Sequence, residues 1–437
     1  MTVELESRQE ARFANALNAS LEEASAIGRQ FSTGRKRPLL TALSGGSDST
    51  ALALLTERYA RAKNIVHRTI IIDHGLRSNS SDEARRVAAR MQNLGIDTVI
   101  RCVEAPAPAN GIQSWARTHR YAVLTSAARE MGAVLLLAHH KADQAETVFM
   151  RLSRSSGLAG LSGMARCRYL DNIPILRPLL TWGPQELLEV CRYFGCAYES
   201  DPSNNDQRFE RVRVRTELAN LAAAGQDIAA GLNRLSFAAS AICRAVDAVF
   251  EEKLELPEFF AEGYAIFSLL GLRSLPNTLW RRVVGRSILA VGGGDYLPSQ
   301  AAFSRLRSHL EAGLSATLGG CQFVPSNEGA LCRVLHEPGR NPPKAEIKEL
   351  TPVIFAGVWR VVSPLDGCIR ILGDTPPPAQ WEGFPRALRQ SFPIIETLDG
   401  RILYPHFTGN IRASVPLISA NATFLGLENI NGPDEQS

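Results

Sequence analysis

Residues Arg37 to about Glu199 alternate short apolar runs with amphipathic segments. The runs "RPLLTAL", "HRTIIID", "IDTVIRCVEA" and "AVLLLAH" are rich in Val, Ile and Leu, which predicts buried strands. Between two of them, residues 81–95 repeat apolar side chains at helical spacing and end at a glycine, a common helix stop. Such repetition predicts βαβ units, a mainly parallel sheet and ligand sites beyond the carboxyl ends of its strands.

The pattern changes after about Thr216. An Ala-rich helical stretch follows, and we expect no strand before a short β portion near "ATLGGCQFVPSNEGALCRVL". "EPGRNPPKAE" is a polar, Pro-rich break typical of a linker. The predicted fold class is α/β, and the predicted domains are a helical N-terminal extension (1–36), a parallel-sheet domain (37–217), a mostly helical domain (218–340) and a small α+β C-terminal domain (347–437).

Composition excludes several protein classes. The chain has 437 residues, 45% of them hydrophobic, which suits two or three globular domains. No apolar run is long enough to span a bilayer, and "MTVELESRQEARF" lacks the apolar core of a secretory signal. The eight cysteines include no CxxC pair, so we expect neither zinc nor an iron–sulfur cluster, and predict reduced, mostly buried thiols of a cytosolic protein. The net charge of +4 is too small to identify a partner.

The loop "LSGGSDST" (43–50) lies where a predicted strand passes into a predicted helix. Free backbone N–H groups and the positive end of the helix dipole make such a junction an anion site. The loop residues predicted to bind phosphate are Ser44, Gly45, Gly46, Ser47 and Ser49. The alternative is a tight strand-to-helix turn that binds nothing.

Asp48 separates this loop from the Walker loop, in which a lysine reaches the terminal phosphates. A carboxylate repels phosphates unless a divalent cation lies between them, and Mg²⁺ suits a site of one or two carboxylates and phosphate oxygens. The loop therefore predicts Mg²⁺-ATP with its pyrophosphate end held by the loop. It also predicts cleavage between the α and β phosphates, which is adenylation.

"AHHKADQAET" (138–147) ends a predicted strand and begins a helix. Asp143 and Glu146 are three residues apart and share a helix face. His139, His140 or Asp143 can accept a proton during catalysis. Two alternatives remain open: a transition-metal site, and a structural role in which Asp143 is a helix-start acid and Glu146 is solvated.

Further polar residues follow the predicted strands or lie on helices. Asp73 and His74 end the second strand, and a turn role for Asp73 is an alternative. Arg117 and Arg120 are three apart on one helix. A denser basic cluster consists of Arg208, Arg211, Arg213 and Arg215. Guanidinium groups match phosphates and base edges, although most charge runs are only solvated surface.

The phosphate loop resembles that of the ATP-pyrophosphatase (PP-loop) group, which reads SGGxDS. Further motifs in the same order are similar to the tRNA(Ile)-lysidine synthetase family across the first domain, and more weakly beyond it. These motifs are "IIIDHGLRSNSSDEA" (70–84), "WARTHRYAVL" (115–124), "LAHHKADQAETVFMRLSRSSGLAGLSGM" (137–164), "RPLL" (177–180) and "ESDPSNNDQRFERVRVR" (199–215).

The resemblance implies an enzyme of the bacterial cytoplasm. Members of the tRNA(Ile)-lysidine synthetase family adenylate the wobble cytidine of the isoleucine tRNA with anticodon CAU. Free L-lysine then displaces AMP to give lysidine. The resemblance implies metal or lysine positioning for Asp48 and Asp143, nucleotide binding for Asp73 and His74, and lysine or tRNA binding for Glu146 and the arginines. Two positions depart from the family pattern: Ala142, where many relatives have an acid, and Val212, where many have Asn.

Other classes remain alternatives. A PP-loop tRNA thiolase also adenylates a base, but the iron–sulfur members carry paired cysteines. An amide-forming synthetase needs a glutaminase domain or free ammonia. A non-catalytic ATP-binding protein would keep the phosphate loop without needing tRNA. The oligomeric state is open, with a dimer as one alternative.

Overall fold

We describe the chain from a computed structural model. It describes residues 2–27, 36–75, 79–103, 108, 111–154, 156–170, 173–199, 206–253, 257–294, 297–326, 330–337, 339, 342–407 and 421–424. The chain divides into two compact units, Met1–Val246 with Gly432–Ser437, and Asp247–Asn431. Parts of the predicted extension (28–35) and C-terminal domain (408–420 and 425–437) lie outside the described residues.

The first unit is built on a six-stranded sheet in the order β3-β2-β1-β4-β6-β5. Its strands are β1 (Leu39–Ala42), β2 (His67–Asp73), β3 (Thr98–Cys102), β4 (Val134–Leu136), β5 (Cys167–Leu170) and β6 (Ile173–Leu176). All neighbouring pairs are parallel except the edge strand β5, which is antiparallel to β6. The carboxyl ends of the parallel strands therefore meet at one edge of the sheet, as the sequence pattern predicts.

Helices cover both faces of this sheet because successive strand residues alternate between its faces. Leu39 belongs to the core shared with the first, second, third and seventh helices, while Leu40 belongs to the core beneath the fourth. The helices are α1 (Thr2–Ile27), α2 (Ser47–Lys63), α3 (Ser80–Asn93), α4 (Ile112–Met131), α5 (Lys141–Ser153), α6 (Leu158–Leu161), α7 (Pro184–Tyr193), α8 (Glu210–Ala223) and α9 (Ile228–Lys253). A third small cluster joins α5 to α8 through Val148 and Val214.

The described residues of the second unit form three sheets, in the orders β7-β8-β11-β10-β9, β12-β15-β16-β17 and β13-β14-β19-β18. Its first part comprises β7 (Glu258–Phe260), β8 (Tyr264–Ser268), α10 (Leu269–Arg273), α11 (Asn277–Gly292), α12 (Gln300–Glu311), β9 (Ala316–Leu318), β10 (Cys321–Pro325) and β11 (Leu331–His336). The remainder comprises β12 (Lys344–Ile347), β13 (Val353–Phe355), β14 (Trp359–Val362), β15 (Gly367–Ile371), α13 (Arg386–Gln390), β16 (Pro393–Thr397), β17 (Ile402–Leu403), β18 (His406–Phe407) and β19 (Asn421–Phe424).

The predicted α/β class is confirmed, but some predicted details differ from the structure. The expectation of no strand after Thr216 until the β portion near residue 316 is wrong, since β7 and β8 precede it and β8 pairs with β11. The predicted domain boundaries remain predictions. All eight cysteines are free, and six of them are buried. Within the described part of the chain, no helix combines the length and apolarity needed to cross a membrane.

Candidate active site

The phosphate loop connects β1 to α2. Gly46 is the N-cap of α2 and supplies no side-chain bond to the first turn. The Ser49 hydroxyl accepts from the Ser44 amide at 3.1 Å and donates to the Gly46 carbonyl at 3.1 Å, so it holds the loop closed. Because no side chain caps the helix start, its first-turn amides are available to an anion, and phosphate binding by this loop remains a prediction.

Gly45 occupies a position that only glycine adopts without strain. Its φ is +87°, and a Cβ built there would lie 2.8 Å from Val87 Cγ2 of α3. The Gly45 carbonyl accepts from the Glu199 amide at 2.8 Å. Arg90 of α3 donates to the Ala197 carbonyl at 2.9 Å and to the Glu199 carboxylate at 2.8 Å. The segment after α7 thus fixes the back of the phosphate loop.

His140 joins the phosphate loop to the start of α5. Its Nδ1 accepts from the Ala142 amide at 3.1 Å, while Asp143 Oδ2 accepts from the His140 amide at 2.9 Å, so the two side chains form a capping box. His140 Nε2 lies 3.4 Å from Asp48 Oδ2 and 3.6 Å from Asp143 Oδ2. Burial disfavours the imidazolium, but the bond to Asp48 and the charge of Asp143 outweigh it and raise the pKa of His140.

Glu146 lies beneath this group and is 1% exposed. Arg211 donates to Glu146 at 2.6 Å and to Asp143 at 2.7 Å, and Arg215 donates to Glu146 at 2.7 Å. Burial favours the neutral form of Asp143, but the charges of His140 and Arg211 outweigh it and lower its pKa. Asp143 and Glu146 do share a face of α5, and Glu146 is buried and ion-paired rather than solvated.

The four-arginine cluster splits by direction. Arg211 and Arg215 face the carboxylates of α5. Arg208 pairs with Asp206, with 85% of its side chain exposed, and Arg213 donates to the backbone carbonyls of Gln207 and Arg208. The side chains of Arg211 and Arg215 are still 38% and 46% exposed, so all four arginines of this predicted RNA-binding cluster remain accessible to solvent.

His139 differs sharply from its neighbour His140. Arg177 Nε donates to His139 Nδ1 at 3.2 Å. Burial, followed by the charge of Arg177, lowers the pKa of His139 to about 3. The ring is therefore neutral near pH 7 and a weak proton acceptor.

Asp73 and His74 end β2 at the same edge of the sheet. Asp73 accepts from the Gly75 amide at 2.9 Å and from the Ser81 hydroxyl at 2.5 Å, so each of its oxygens has a hydrogen-bond donor. Both ring nitrogens of His74 are buried without a hydrogen-bond partner among the described residues. The His74 ring centroid lies 6.3 Å from that of Trp115 on α4. Aromatic rings such as these can pack against a nucleotide base. Arg117 and Arg120 lie on the same helix.

Asp48 fits a magnesium ion better than Asp143 does. The Asp48 side chain is 38% exposed and lies in the first turn of α2, beside the available amides. Both oxygens of Asp143 are engaged, one by Arg211 and one by the His140 amide, and its side chain is only 15% exposed. The oxygens of Asp48 also have partners, the Ser47 hydroxyl and His140 Nε2, but neither partner is an arginine. No cluster of three or more metal-binding side chains occurs in the described residues, so a shared site with substrate phosphates is the arrangement that Asp48 suits.

Three residues around the site had no predicted role. Arg177 belongs to the quoted motif "RPLL", and Glu199 begins the quoted motif "ESDPSN", so their motifs were the only signal. Arg90 had no signal in the sequence, because its contacts lie 107 and 109 residues away.

Comparisons with known proteins identify the family of this chain. Residues 12–222 match the PP-loop domain family. A tRNA(Ile)-lysidine synthase of Ruegeria pomeroyi is 34% identical over 358 residues, which are 79% of this chain and 81% of the relative. One from Methylobacterium nodulans is 36% identical over 68% of this chain and 91% of the relative.

Solved structures show weaker likeness. The U34-tRNA thiolase NcsA of Methanococcus maripaludis has a TM-score of 0.40 at 18% identity, covering 51% of this chain and 78% of that chain. An NAD+ synthetase of Burkholderia pseudomallei has a TM-score of 0.32 at 14% identity, covering 56% and 90%. These low TM-scores carry no weight for function. The sequence matches, in contrast, cover most of the length of each relative. The chain is therefore an enzyme that belongs to the tRNA(Ile)-lysidine synthase family.

Proposed function

We propose that this enzyme joins free L-lysine to C2 of the wobble cytidine in the isoleucine tRNA with anticodon CAU. ATP is consumed to AMP and pyrophosphate, and the product is lysidine. The names of the sequence relatives support tRNA as the substrate, and the PP-loop domain supports the use of ATP. The observation that carries the proposal is the meeting of Asp48, His140 and Asp143 beside the phosphate loop.

In the first step, the cytidine O2 attacks the α-phosphorus of ATP and pyrophosphate leaves. The first-turn amides of α2 hold the departing phosphates, because their N–H groups have no side-chain cap. A Mg²⁺ ion bound by Asp48 would neutralise charge on the phosphates. Glu199 and Val87 keep the Gly45 backbone in the conformation that presents these amides.

In the second step, the lysine ε-amine attacks C2 of the adenylated cytidine, and AMP leaves. Asp143 and Glu146 provide negative charge for the lysine ammonium, which would compete there with Arg211. We assign the removal of a proton from the lysine ammonium to His140. Nearby carboxylates raise the pKa of His140, whereas the pKa of His139 is about 3. His140 Nδ1 accepts the Ala142 amide here, so protonation at that atom requires this cap bond to lengthen.

Labelled lysine, ATP and purified tRNA test this function directly. The wild-type enzyme should fix lysine to the CAU-anticodon isoleucine tRNA and not to a tRNA with another wobble base. Asp48→Asn should abolish product without unfolding the protein, because Asp48 is partly exposed and makes no ion pair with a Lys or Arg side chain in the described residues. Arg85→Gln, on an exposed surface of α3, is the matched control and should keep activity. Sulfur or ammonia incorporation instead of lysine would refute the proposal.

A further inference from the structure

Arg177 is a buried cation with no buried counter-charge. It follows β6 and is 4% exposed. Its guanidinium donates to His139 Nδ1 at 3.2 Å and to the Ala165 carbonyl at 2.9 Å, and no carboxylate among the described residues pairs with it. A buried charge without an opposite charge is costly, so its retention indicates an anion that the protein alone does not supply.

The Arg177 guanidinium also lies beside the Tyr121 hydroxyl, and two more arginines surround this tyrosine. The guanidinium carbons of Arg117 and Arg168 lie 5.1 and 5.0 Å from the ring centre of Tyr121. Arg168 Nε is buried without a hydrogen-bond partner among the described residues. We call Arg117, Tyr121, Arg168 and Arg177 the Tyr121 cluster.

The Tyr121 cluster lies at the carboxyl edge of the sheet. Arg168 is on β5 opposite Ile175 of β6, and Arg177 begins the segment after β6. The contact of Arg177 with His139 places the cluster beside the residue that precedes His140. The phosphate loop follows β1, which is separated from β6 by β4, or about 10 Å at the usual strand spacing.

We propose that the Tyr121 cluster binds a backbone phosphate of the tRNA, on a nucleotide next to the one that is modified. Planar guanidinium groups hold phosphates through paired hydrogen bonds. Arg117 is the exposed arginine of the cluster, and Arg168 and Arg177 add positive charge behind it. RNA is favoured over ATP as the source because the phosphate loop already offers ATP a separate site across β4. This inference rests on the proposed function for the identity of the RNA.

Binding of an isolated anticodon stem-loop, measured without ATP or lysine, tests the cluster. Arg168→Gln should raise the dissociation constant roughly tenfold, as expected for the loss of a charge-assisted contact. The slope of log affinity against log salt should fall by about 0.7, the value for one contact to single-stranded RNA. Arg129→Gln, at the far end of α4, is the matched control and should change neither quantity.

A second variant guards against misfolding. Arg177→Lys keeps the buried charge but loses the planar guanidinium group, so it should weaken RNA binding. Its melting temperature should be similar to that of the Arg168→Gln variant. ATP-analogue affinity should be unchanged in both variants. Weakened ATP binding with intact RNA binding would assign the cluster to nucleotide phosphates and overturn the proposal. Unchanged binding of both ligands would also overturn it.

Failure of the proposed function is distinguishable from failure of this site. If the wild-type enzyme fixes no lysine but Arg168→Gln still weakens binding of the stem-loop, the site stands and the function falls. If lysine is fixed normally and the variants bind RNA like the wild type, the function stands and the site falls.

Discussion

Replacing Gly45 by alanine tests whether backbone strain shapes the phosphate loop. At φ +87° a non-glycine residue costs about 1–3 kcal/mol. The added Cβ would also lie 2.8 Å from Val87 Cγ2, an overlap that costs about 1–3 kcal/mol in a packed core. The two costs together are about 4 kcal/mol. For a unit of about 250 residues this lowers the melting temperature by roughly 8–16 °C.

Differential scanning calorimetry and binding of a non-hydrolysable ATP analogue measure the two consequences. Gly46→Ala is the stability control, since its φ is −69° and its new Cβ would meet Ser44 Oγ at 3.6 Å, an ordinary contact. In the double variant Gly45→Ala with Val87→Ala, the free-energy cost of the Cβ overlap should be relieved. The cost of the positive φ at residue 45 should remain. A Gly45→Ala variant that melts and binds the analogue like the wild type would refute this account of the loop.

Two further predictions concern buried carboxylates. Glu146→Gln should lower the melting temperature and abolish ligation, because it removes one of the two carboxylates that pair with Arg211. The expected loss of stability is about 2–3 kcal/mol, after allowance for the partly exposed guanidinium. Ligation at the wild-type rate would contradict this prediction. The hydrogen bond from His67 to Glu57, 2.8 Å long, lowers the pKa of Glu57. Its stabilising contribution should therefore be present above the unfolded pKa near 4.3 and lost as the pH falls through the lower folded pKa. A His67→Gln variant should show a weaker acid dependence in pH-jump unfolding, and an unchanged profile would disprove the linkage.

The parts of the fold that follow from local sequence were predictable. The apolar runs that became β1, β2 and β4 are short and mostly buried. The phosphate loop lies between a strand and a helix because glycine and serine interrupt both patterns. β7 and β8 were missed because they are short and lie between the Ala-rich helix α9 and the helices α10 and α11. β8 is stabilised by pairing with β11, whose residues lie more than 60 positions later in the chain.

The candidate site was predictable as residue types but not as an arrangement. Local spacing placed Asp143 and Glu146 on one face of a helix. It could not show that Arg211 bridges them from 68 and 65 residues away, nor that one of two adjacent histidines is held neutral. That difference arises from burial against Arg177, a contact that only the folded sheet creates.

The fate of the ATP phosphates tests the central claim most directly. The claim is that the phosphate loop holds the pyrophosphate end of ATP so that the AMP portion moves to the RNA. With tRNA and lysine present, ATP labelled at the α and γ phosphates should yield AMP and pyrophosphate in equal amounts, one of each per lysine fixed. Release of ADP and orthophosphate as the only products would contradict the account.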